Sequence, residues 1–449
     1  MIGLVVTVGC DGCSDRSTND RPLPTIVASG DTAGWIVPCG CASNQSGGLP
    51  RRASCVKRLI ASGDVLLLVD VGGAPVGTSS YDRLKFEAIA KGEVIMGIAA
   101  HNIGAGEVAL GTDCLRDAAG RLKLPLVSAN TRDRQGRRLS EPLRMIDVAD
   151  HCVAVIGVLD PRYATDRIEV TSPHQAVLDT IATIRGPCDA VVVLAYLPED
   201  ALRRFAETLP EVDLIIGGPT GQTIPPTRLG PTLLASATNQ GKFLAVFSPG
   251  GTERDGKFVG RIVELDESFE DDSAQVDNIK QFYELLAQHD FRPEQTSFVS
   301  PLPEGLPRGF AVAGSKRCAE CHEEEYGVWH DSKHRRAWDS LKNKGAHVDP
   351  DCQRCHVTGY GMPDGFHSLA QGDMRINVGC ESCHGPSQAH CDNETVHTTH
   401  YDGAKNHCQT CHDRENSPEF SYDTYWPKIR HGDQQDEPAP ADPTGEKSS

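Results

Sequence analysis

Residues 318–322 read Cys-Ala-Glu-Cys-His, and the pattern Cys-x-x-Cys-His returns at residues 352–356, 380–384 and 408–412. In each copy two thiols stand three positions apart, and a histidine follows the second thiol directly. A shuffled chain with the same cysteine and histidine content would hold roughly 0.02 copies of this pattern. Four copies in one segment are therefore not a coincidence, and we number them motifs 1 to 4 in chain order.

The spacing within each motif suits covalent haem attachment. Two such thiols can add to the two vinyl groups of one porphyrin, and the next histidine then lies under the iron as an axial ligand. The sequence therefore predicts four haem c groups. The attaching thiols are Cys318, Cys321, Cys352, Cys355, Cys380, Cys383, Cys408 and Cys411. The proximal iron ligands are His322, His356, His384 and His412.

Zinc is the main alternative, because paired Cys-x-x-Cys motifs also form tetrahedral structural sites. Here every pair carries its own histidine, and no pair stands at zinc-ribbon distance from another without one. A thioredoxin-like redox pair would follow a strand at a helix N-terminus, whereas the residues before these pairs are polar. The spacing favours haem over both.

Length and charge narrow the class of protein further. The 449 residues suffice for two or three domains, and the formal net charge is −18. Such an acidic chain does not suit nucleic acid or an anionic membrane surface, but it suits basic partners. Eight of the 17 cysteines belong to the motifs. The odd remainder of nine leaves at least one thiol outside intramolecular disulfides.

The first residues leave two interpretations open. Residues 1–10 are apolar and end in Gly9-Cys10, as a bacterial lipoprotein signal does, but they lack a basic start. We expect residues 1–23 to be a remnant of an export signal or a linker, with Cys10 as the candidate lipid anchor. Proteins with covalently attached haem c are matured outside the inner membrane, so we expect a periplasmic or extracytoplasmic location.

Short apolar runs bounded by Gly, Pro or Asp alternate with helical patterns over residues 24–266. Such alternation predicts an α/β layer fold. The expected helices are 80–91, 172–185 and 199–209. The expected strands are 25–29, 64–70, 153–159, 190–194, 212–216, 244–247 and 260–265.

The rest of the chain divides into three parts. Residues 267–310 predict a linker that has one helix at 273–289 and a Pro-rich stretch. Residues 311–432 carry the motifs and few long apolar runs, which predicts a mainly helical, loop-rich haem domain. Residues 433–449 are rich in Pro, Asp and Glu and predict a disordered tail.

The order of motifs in residues 24–266 resembles the calcineurin-like metallophosphoesterases of the 5′-nucleotidase type. That resemblance implies a layered sandwich with two metal ions that clamp a phosphate and activate water. Of the expected metal and catalytic positions only Asp31 is kept. The substituted positions are Ala33, Gly72-Gly73, Gly104-Ala105-Gly106, Tyr196 and Gly218-Pro219-Thr220-Gly221. We therefore predict the fold without phosphoesterase activity, and we interpret His101 as a core or surface residue rather than a ligand.

Cys39 and Cys41 follow the first expected strand, with an arginine pair nearby. They could form a redox or metal site with lowered thiol pKa values. The sequence favours a disulfide or plain core thiols instead. The candidate disulfide partners are Cys55, Cys114, Cys152 and Cys188.

Residues 312–432 resemble the cytochrome c-554 type of tetrahaem domain. The resemblance rests on the four motifs and on the text around them, including Trp329, Tyr360 and Trp426. It implies that His334, His390 and His431 are the distal iron ligands. It also implies one iron with an open or weakly held sixth position, for which the haem at His356 is the best candidate, with His347 or His367 as fillers.

These features predict an exported electron-transfer protein whose α/β domain is a scaffold or docking module. Its expected partners are redox proteins, basic or quinone-linked. Met362 and Met374 are the only methionines of the haem segment. Histidine is therefore the expected sixth ligand, which gives low reduction potentials. The alternative is an oxidoreductase that acts on a small nitrogen or oxygen species at the open iron of the second haem.

Overall fold

A computed structural model of the chain describes residues 22–38, 45–250, 256–299, 302, 308–397 and 404–431. They form two compact units. The first unit runs to His289 and includes Gln295–Ser297, and the second contains Asp290–Glu294 and the described residues from Phe298 onward. Cys10, Cys39 and Cys41 lie outside the described residues.

The first unit alternates strands and helices, as the sequence predicts. Its helices are α1 (Leu49–Ala61), α2 (Ser80–Met96), α3 (Ala105–Leu110), α4 (Thr112–Leu122), α5 (Pro173–Ile181), α6 (Glu199–Glu207) and α7 (Ser273–His289). Its strands are β1 (Thr25–Ser29), β2 (Leu66–Asp70), β3 (Ala100–Asn102), β4 (Leu126–Val127), β5 (Thr131–Asp133), β6 (Leu143–Val148), β7 (His151–Leu159), β8 (Ile168–Val170), β9 (Ala190–Tyr196), β10 (Leu214–Gly218), β11 (Ile224–Leu229), β12 (Thr232–Ser236), β13 (Phe243–Pro249) and β14 (Phe258–Glu264).

Two mixed sheets organise these strands. The first has the order β14-β13-β1-β2-β3-β4 and the second the order β11-β12-β10-β9-β7-β6, while β5 and β8 form a separate ribbon. Strands β1 to β4 run parallel to one another, as do β7, β9, β10 and β12. The flanking strands β13, β6 and β11 pair antiparallel to β1, β7 and β12. Because the carboxyl ends of parallel strands lie at the same edge of a sheet, the residues that follow these strands are close together there.

The two sheets pack face to face and are covered by helices. Ile26 and Leu67 of the first sheet share one buried cluster with Val192 of the second. The opposite face of the first sheet packs Val27 against α1. That of the second sheet packs Val193 against α5 and α6. Because both faces of each sheet are buried, its central strands are continuous apolar runs. The predicted layered sandwich is confirmed.

Helix α7 belongs to the first unit rather than to a linker. The side-chain amide of Gln275 donates to Gly92 O at 2.9 Å, and that of Asn278 donates to Ala88 O at 2.8 Å, so both groups bind carbonyls of α2. Both residues are buried. The first compact unit therefore includes α7 and runs to residue 289, beyond the domain end predicted at residue 266.

The second unit is helical and rich in loops, as predicted. Few of its described apolar side chains are buried, among them Trp338, Leu341 and Phe366. None of the described helices of the protein is both long and apolar enough to span a bilayer. The helices of this unit are α8 (Ser315–Cys318), α9 (Glu323–Asp331), α10 (Ala337–Lys342), α11 (Pro350–His356), α12 (Glu381–His384), α13 (Gln388–Asp392), α14 (Ala404–Cys408) and α15 (Tyr422–Tyr425).

Candidate functional site

Each motif of the second unit winds into one helical turn. In motif 2 the helix α11 ends at His356. In the other three the histidine amide donates to the carbonyl of the first cysteine. Positions i, i+3 and i+4 share a helix face, so each turn presents both thiols and the imidazole to one side. The amide-to-carbonyl distances are 2.9 Å for His322 to Cys318, 3.0 Å for His384 to Cys380 and 2.9 Å for His412 to Cys408.

Motifs that are distant in the chain meet at their thiols. Cys318 of motif 1 contacts Cys380 of motif 3. Cys355 of motif 2 contacts Cys411 of motif 4. The attachment points are thus neighbours in two pairs, 1 with 3 and 2 with 4.

Three motif histidines each face one of the histidines proposed as distal ligands. An iron bound between two imidazoles, with metal–nitrogen bonds of about 2 Å, separates the ring centres by about 6 Å. The observed spacings match this value. The ring centres are 6.2 Å apart for His322 and His390, 6.2 Å for His412 and His334, and 5.8 Å for His384 and His431.

Hydrogen bonds orient several of these rings. A carbonyl oxygen can only accept, so a ring whose Nδ1 bonds a carbonyl carries its proton there and keeps the lone pair of Nε2 for a metal. This holds for His356, His390 and His431, while Nδ1 of His412 bonds a hydroxyl. The partners of Nδ1 are Ala337 O at 2.8 Å, Val396 O at 2.8 Å, Ile429 O at 2.9 Å and Ser417 Oγ at 3.1 Å, respectively.

The two histidines suggested as fillers at the second haem make other contacts. The ring of His347 lies edge-on to Trp338, with 5.9 Å between ring centres. The Nε2 atom of His367 is 2.9 Å from Met362 O, which fixes the proton of that ring on Nε2. The side of His367 that usually binds iron is thus occupied by a backbone carbonyl.

Glu381, which was not singled out from the sequence, holds two parts of the haem segment together. It is 3% exposed, and its carboxylate accepts from Ala313 N, Gly314 N and Ser387 N at 2.6–2.8 Å. A carboxylate with three backbone donors fixes the chain before motif 1 and after motif 3. Its position inside Cys-x-x-Cys gave no signal for this role, because the two middle residues vary freely among the motifs.

In the first unit, a tyrosine fills the edge where the phosphoesterase resemblance places metal ligands. Asp31 follows β1, and the hydroxyl of Tyr196, at the end of β9, is 3.4 Å from Asp31 Oδ1. A Cβ added at Gly73 would lie 2.7 Å from Cε2 of Tyr196 and 3.1 Å from Asp31 Oδ1. The phenol ring therefore occupies the space that an aspartate at position 73 would need.

Two buried residues lie close to this edge. Glu107 accepts backbone N–H groups of Gly73, Ala74 and Gly104, each at 2.9 Å, so it anchors the loops. His101 is fully buried, which agrees with its interpretation as a core residue. Its ring nitrogens lie within 4 Å of three carboxylates, those of Asp70, Glu93 and Glu107.

Three of the cysteines proposed as disulfide partners, Cys55, Cys114 and Cys188, are free thiols in this structure. Cys55 and Cys152 are buried, and Cys114 and Cys188 are partly buried. Burial raises the pKa of Cys55, Cys114 and Cys188, which favours the unreactive thiol form.

Burial raises the pKa of Asp31 from 3.8 to about 6. A carboxyl group with a higher pKa in the folded state binds its proton more tightly there, so stability falls as pH rises from about 4 to 6. We expect Asp31→Asn to raise the free energy of unfolding by about 1–3 kcal/mol at pH 7.5 and to leave it unchanged at pH 4. Urea unfolding of both proteins at the two pH values tests this, and an equal effect at both would contradict it.

Comparisons with known proteins agree with this division into two units. Residues 317–385 match the family described as "Cytochrome c554 and c-prime". Cytochrome c-554 of Nitrosomonas europaea is 37% identical over 90 residues, which are 17% of this chain and 38% of that protein. The chain thus spans well under half of that relative.

Solved structures match the fold of the first unit. The sulfate thiohydrolase SoxB of Thermus thermophilus has a TM-score of 0.50 and 18% identity, with 62% of this chain and 63% of that chain covered. The calcineurin-like phosphoesterase YfkN of Bacillus subtilis has a TM-score of 0.50 and 17% identity, with 58% and 97% covered. The chain therefore joins a calcineurin-like phosphoesterase fold to a cytochrome c-554-type segment.

Proposed function

We propose that the second unit holds four covalently bound haem c groups and transfers electrons between redox partners outside the cytoplasm. The observation that carries this proposal is the set of three histidine pairs at iron-bridging distance, each built on a Cys-x-x-Cys-His turn. Two imidazoles per iron favour low-spin haems of low reduction potential. The contacts between motif thiols support closely spaced haems that act as one electron path.

The charge of the chain supports basic redox proteins, or a quinone-linked protein, as partners, because a net charge of −18 attracts cationic surfaces. The first unit serves in this proposal as a scaffold or docking module. An export signal of the lipoprotein type, with Cys10 as anchor, stays an expectation from the sequence.

Purification of the holoprotein with its haems counted and titrated tests the proposal. We expect four haems per chain by pyridine haemochrome assay and by intact mass. An optical and EPR redox titration is expected to show three low-spin bis-histidine centres at negative potentials. Fewer than four covalent haems, or no low-spin bis-histidine signal, would contradict it.

A second candidate function follows from the contact of His367, whose Nε2 atom is bonded to Met362 O. If His347, whose Nδ1 atom is buried without a hydrogen-bond partner, does not fill the sixth position, the haem on His356 would offer an iron to a small nitrogen or oxygen species. Binding of carbon monoxide or nitric oxide to one reduced haem in four would favour this oxidoreductase function. If all four haems are low-spin and the reduced protein binds neither gas, electron transfer is the function that remains.

We propose that the first unit does not hydrolyse phosphate esters, because Tyr196 fills the edge and Asp31 alone cannot hold two divalent cations. We expect no turnover of nucleotides or nitrophenyl phosphate above background with added Mn²⁺, and no change on Asp31→Ala. Metal-dependent turnover that disappears in Asp31→Ala would overturn this expectation.

A further inference from the structure

A second set of metal-ligand side chains lies deeper in the first unit. Asp70 ends β2, Glu93 lies on α2 and His101 lies on β3, and each is at most 1% exposed. His101 Nδ1 is 2.7 Å from Glu93 Oε2 and 3.8 Å from Asp70 Oδ1. One potential ligand atom from each residue lies within 4.8 Å of the other two.

Glu107 orients the ring of His101 from the side that lies away from Asp70 and Glu93. Its Nε2 is 3.2 Å from Glu107 Oε1. Glu107 is held as an acceptor by three backbone N–H groups. The Nε2–H group therefore donates to a carboxylate, one of the usual partners of a metal-binding histidine. Without an ion, Nδ1 also faces a carboxylate and carries a proton towards Glu93, and loss of that proton frees the Nδ1 lone pair for a metal ion.

The second carboxylate oxygen of Glu93 has no hydrogen-bond partner and faces a neighbouring cavity. Glu93 Oε1 is buried without a hydrogen-bond partner, and so is Nε of Arg52. Both residues, with Ser29, line a cavity of about 20 Å³. Buried carboxylate oxygens are rarely left unbonded, and this volume holds about one water molecule. Glu93 therefore has coordinating capacity that protein groups leave unused.

A divalent ion would balance the charges of this cluster. Asp70, Glu93 and Glu107 bring three carboxylates into the interior, against the single guanidinium of Arg52, whose Nη1 is 3.8 Å from both Asp70 Oδ2 and Glu93 Oε1. If His101 is protonated and all three carboxylates are ionised, one negative charge stays uncompensated, and a second proton on Glu93 would be needed to cancel it. If His101 is neutral and binds a divalent cation, the charges cancel, which matters because unbalanced buried charge is costly.

We propose that Asp70, Glu93 and His101 form a buried structural site for one divalent transition-metal ion of the zinc or manganese class. One imidazole with two carboxylates is a donor set that such ions accept. The ion would take the place of the proton between His101 and Glu93, and a water in the adjacent cavity would complete the ligand set. The site would join α2 to the first sheet, apart from the edge that Tyr196 fills.

Metal analysis of the full-length holoprotein tests the proposal. The protein is stripped with EDTA, equilibrated with ZnCl₂ or MnCl₂ and freed of unbound ion, and its metal content is measured beside its haem content. We expect one equivalent of metal per chain in the wild type. Glu93→Gln and His101→Gln are expected to lose that equivalent and to keep the wild-type number of haems. The variant His151→Gln, which removes another buried histidine of this unit, is the matched control and is expected to keep the metal.

Because thiols elsewhere in the chain can also bind zinc, the site is tested by the difference in metal content per chain between the wild type and the variants. Manganese avoids thiolates and gives the cleaner comparison. A second readout is the thermal midpoint of the first unit, which MnCl₂ is expected to raise in the wild type but not in the isosteric Glu93→Gln. No bound metal in the wild type, or equal content and equal midpoint shifts in wild type and Glu93→Gln, would overturn the site. Neither result depends on what the haems do.

Discussion

Replacing Cys380 and Cys383 together by alanine is expected to remove one haem and to destabilise the whole second unit. These thiols attach the third haem in our proposal, and the iron of that haem would tie His384 to His431. Few described side chains form an apolar core in this unit, so the porphyrins supply much of the buried apolar surface. Loss of a bound cofactor removes its binding free energy from folding.

The haem content and the protease resistance of the double variant measure this effect. We expect at most three covalent haems per chain and rapid cleavage within residues 308–431. Cys391→Ala is the matched control, because Cys391 is a partly buried cysteine that follows Cys383 closely and lies outside all four motifs. It is expected to keep four haems and wild-type resistance. Four covalent haems in the double variant would refute the assignment of these thiols.

The order of elements in the first unit could be predicted because its central strands are buried on both faces. Such strands leave long apolar runs, as in β7 and β9. Strands β3 and β4 escaped prediction because they have only three and two residues. Strand β11 begins Ile-Pro-Pro, and proline signals an edge or a loop. Boundaries set by tertiary hydrogen bonds, as at α7, also leave no local pattern.

Helix α1 has no counterpart among the helices predicted from the sequence. Its arginine pair, Arg51 and Arg52, was considered only as a neighbour of Cys39 and Cys41. In the structure Leu49 begins a helix with Pro50 in its first turn, where the missing N–H costs nothing. Arg52 is 3% exposed and lies beside Asp70 and Glu93. A buried arginine on a polar-looking segment is recognisable only once its carboxylate partners are located.

In the candidate sites too, contact partners from distant segments could not be predicted from the sequence. Spacing within a motif identifies thiols and a proximal histidine, because all three lie on one helical turn. The partner of each motif histidine comes from a distant segment, so neither spacing nor composition specifies that His322 faces His390 or that His412 faces His334. His101 likewise looked isolated, since Asp70 and Glu93 reach it from two other elements.

Glu107→Ala is expected to produce the largest loss of stability in the first unit. Glu107 is fully buried and accepts four donors, namely three backbone N–H groups and Nε2 of His101. Alanine leaves these donors without their acceptor and removes a negative charge that faces His101. Breaking a buried charge network by deleting one partner costs about 3–5 kcal/mol.

Urea unfolding in EDTA, followed by far-ultraviolet circular dichroism, is the measurement for Glu107→Ala, and the Soret band reports the second unit separately. We expect the first transition to move to lower urea while the Soret transition stays unchanged. Glu107→Gln, which keeps one acceptor oxygen, should lose less. Glu199→Ala is the control, because Glu199 is exposed and pairs with Arg203 at the surface of α6, and such pairs contribute at most about 0.5 kcal/mol. A Glu107→Ala transition no lower than that of Glu199→Ala would show that the buried network around His101 does not stabilise the fold.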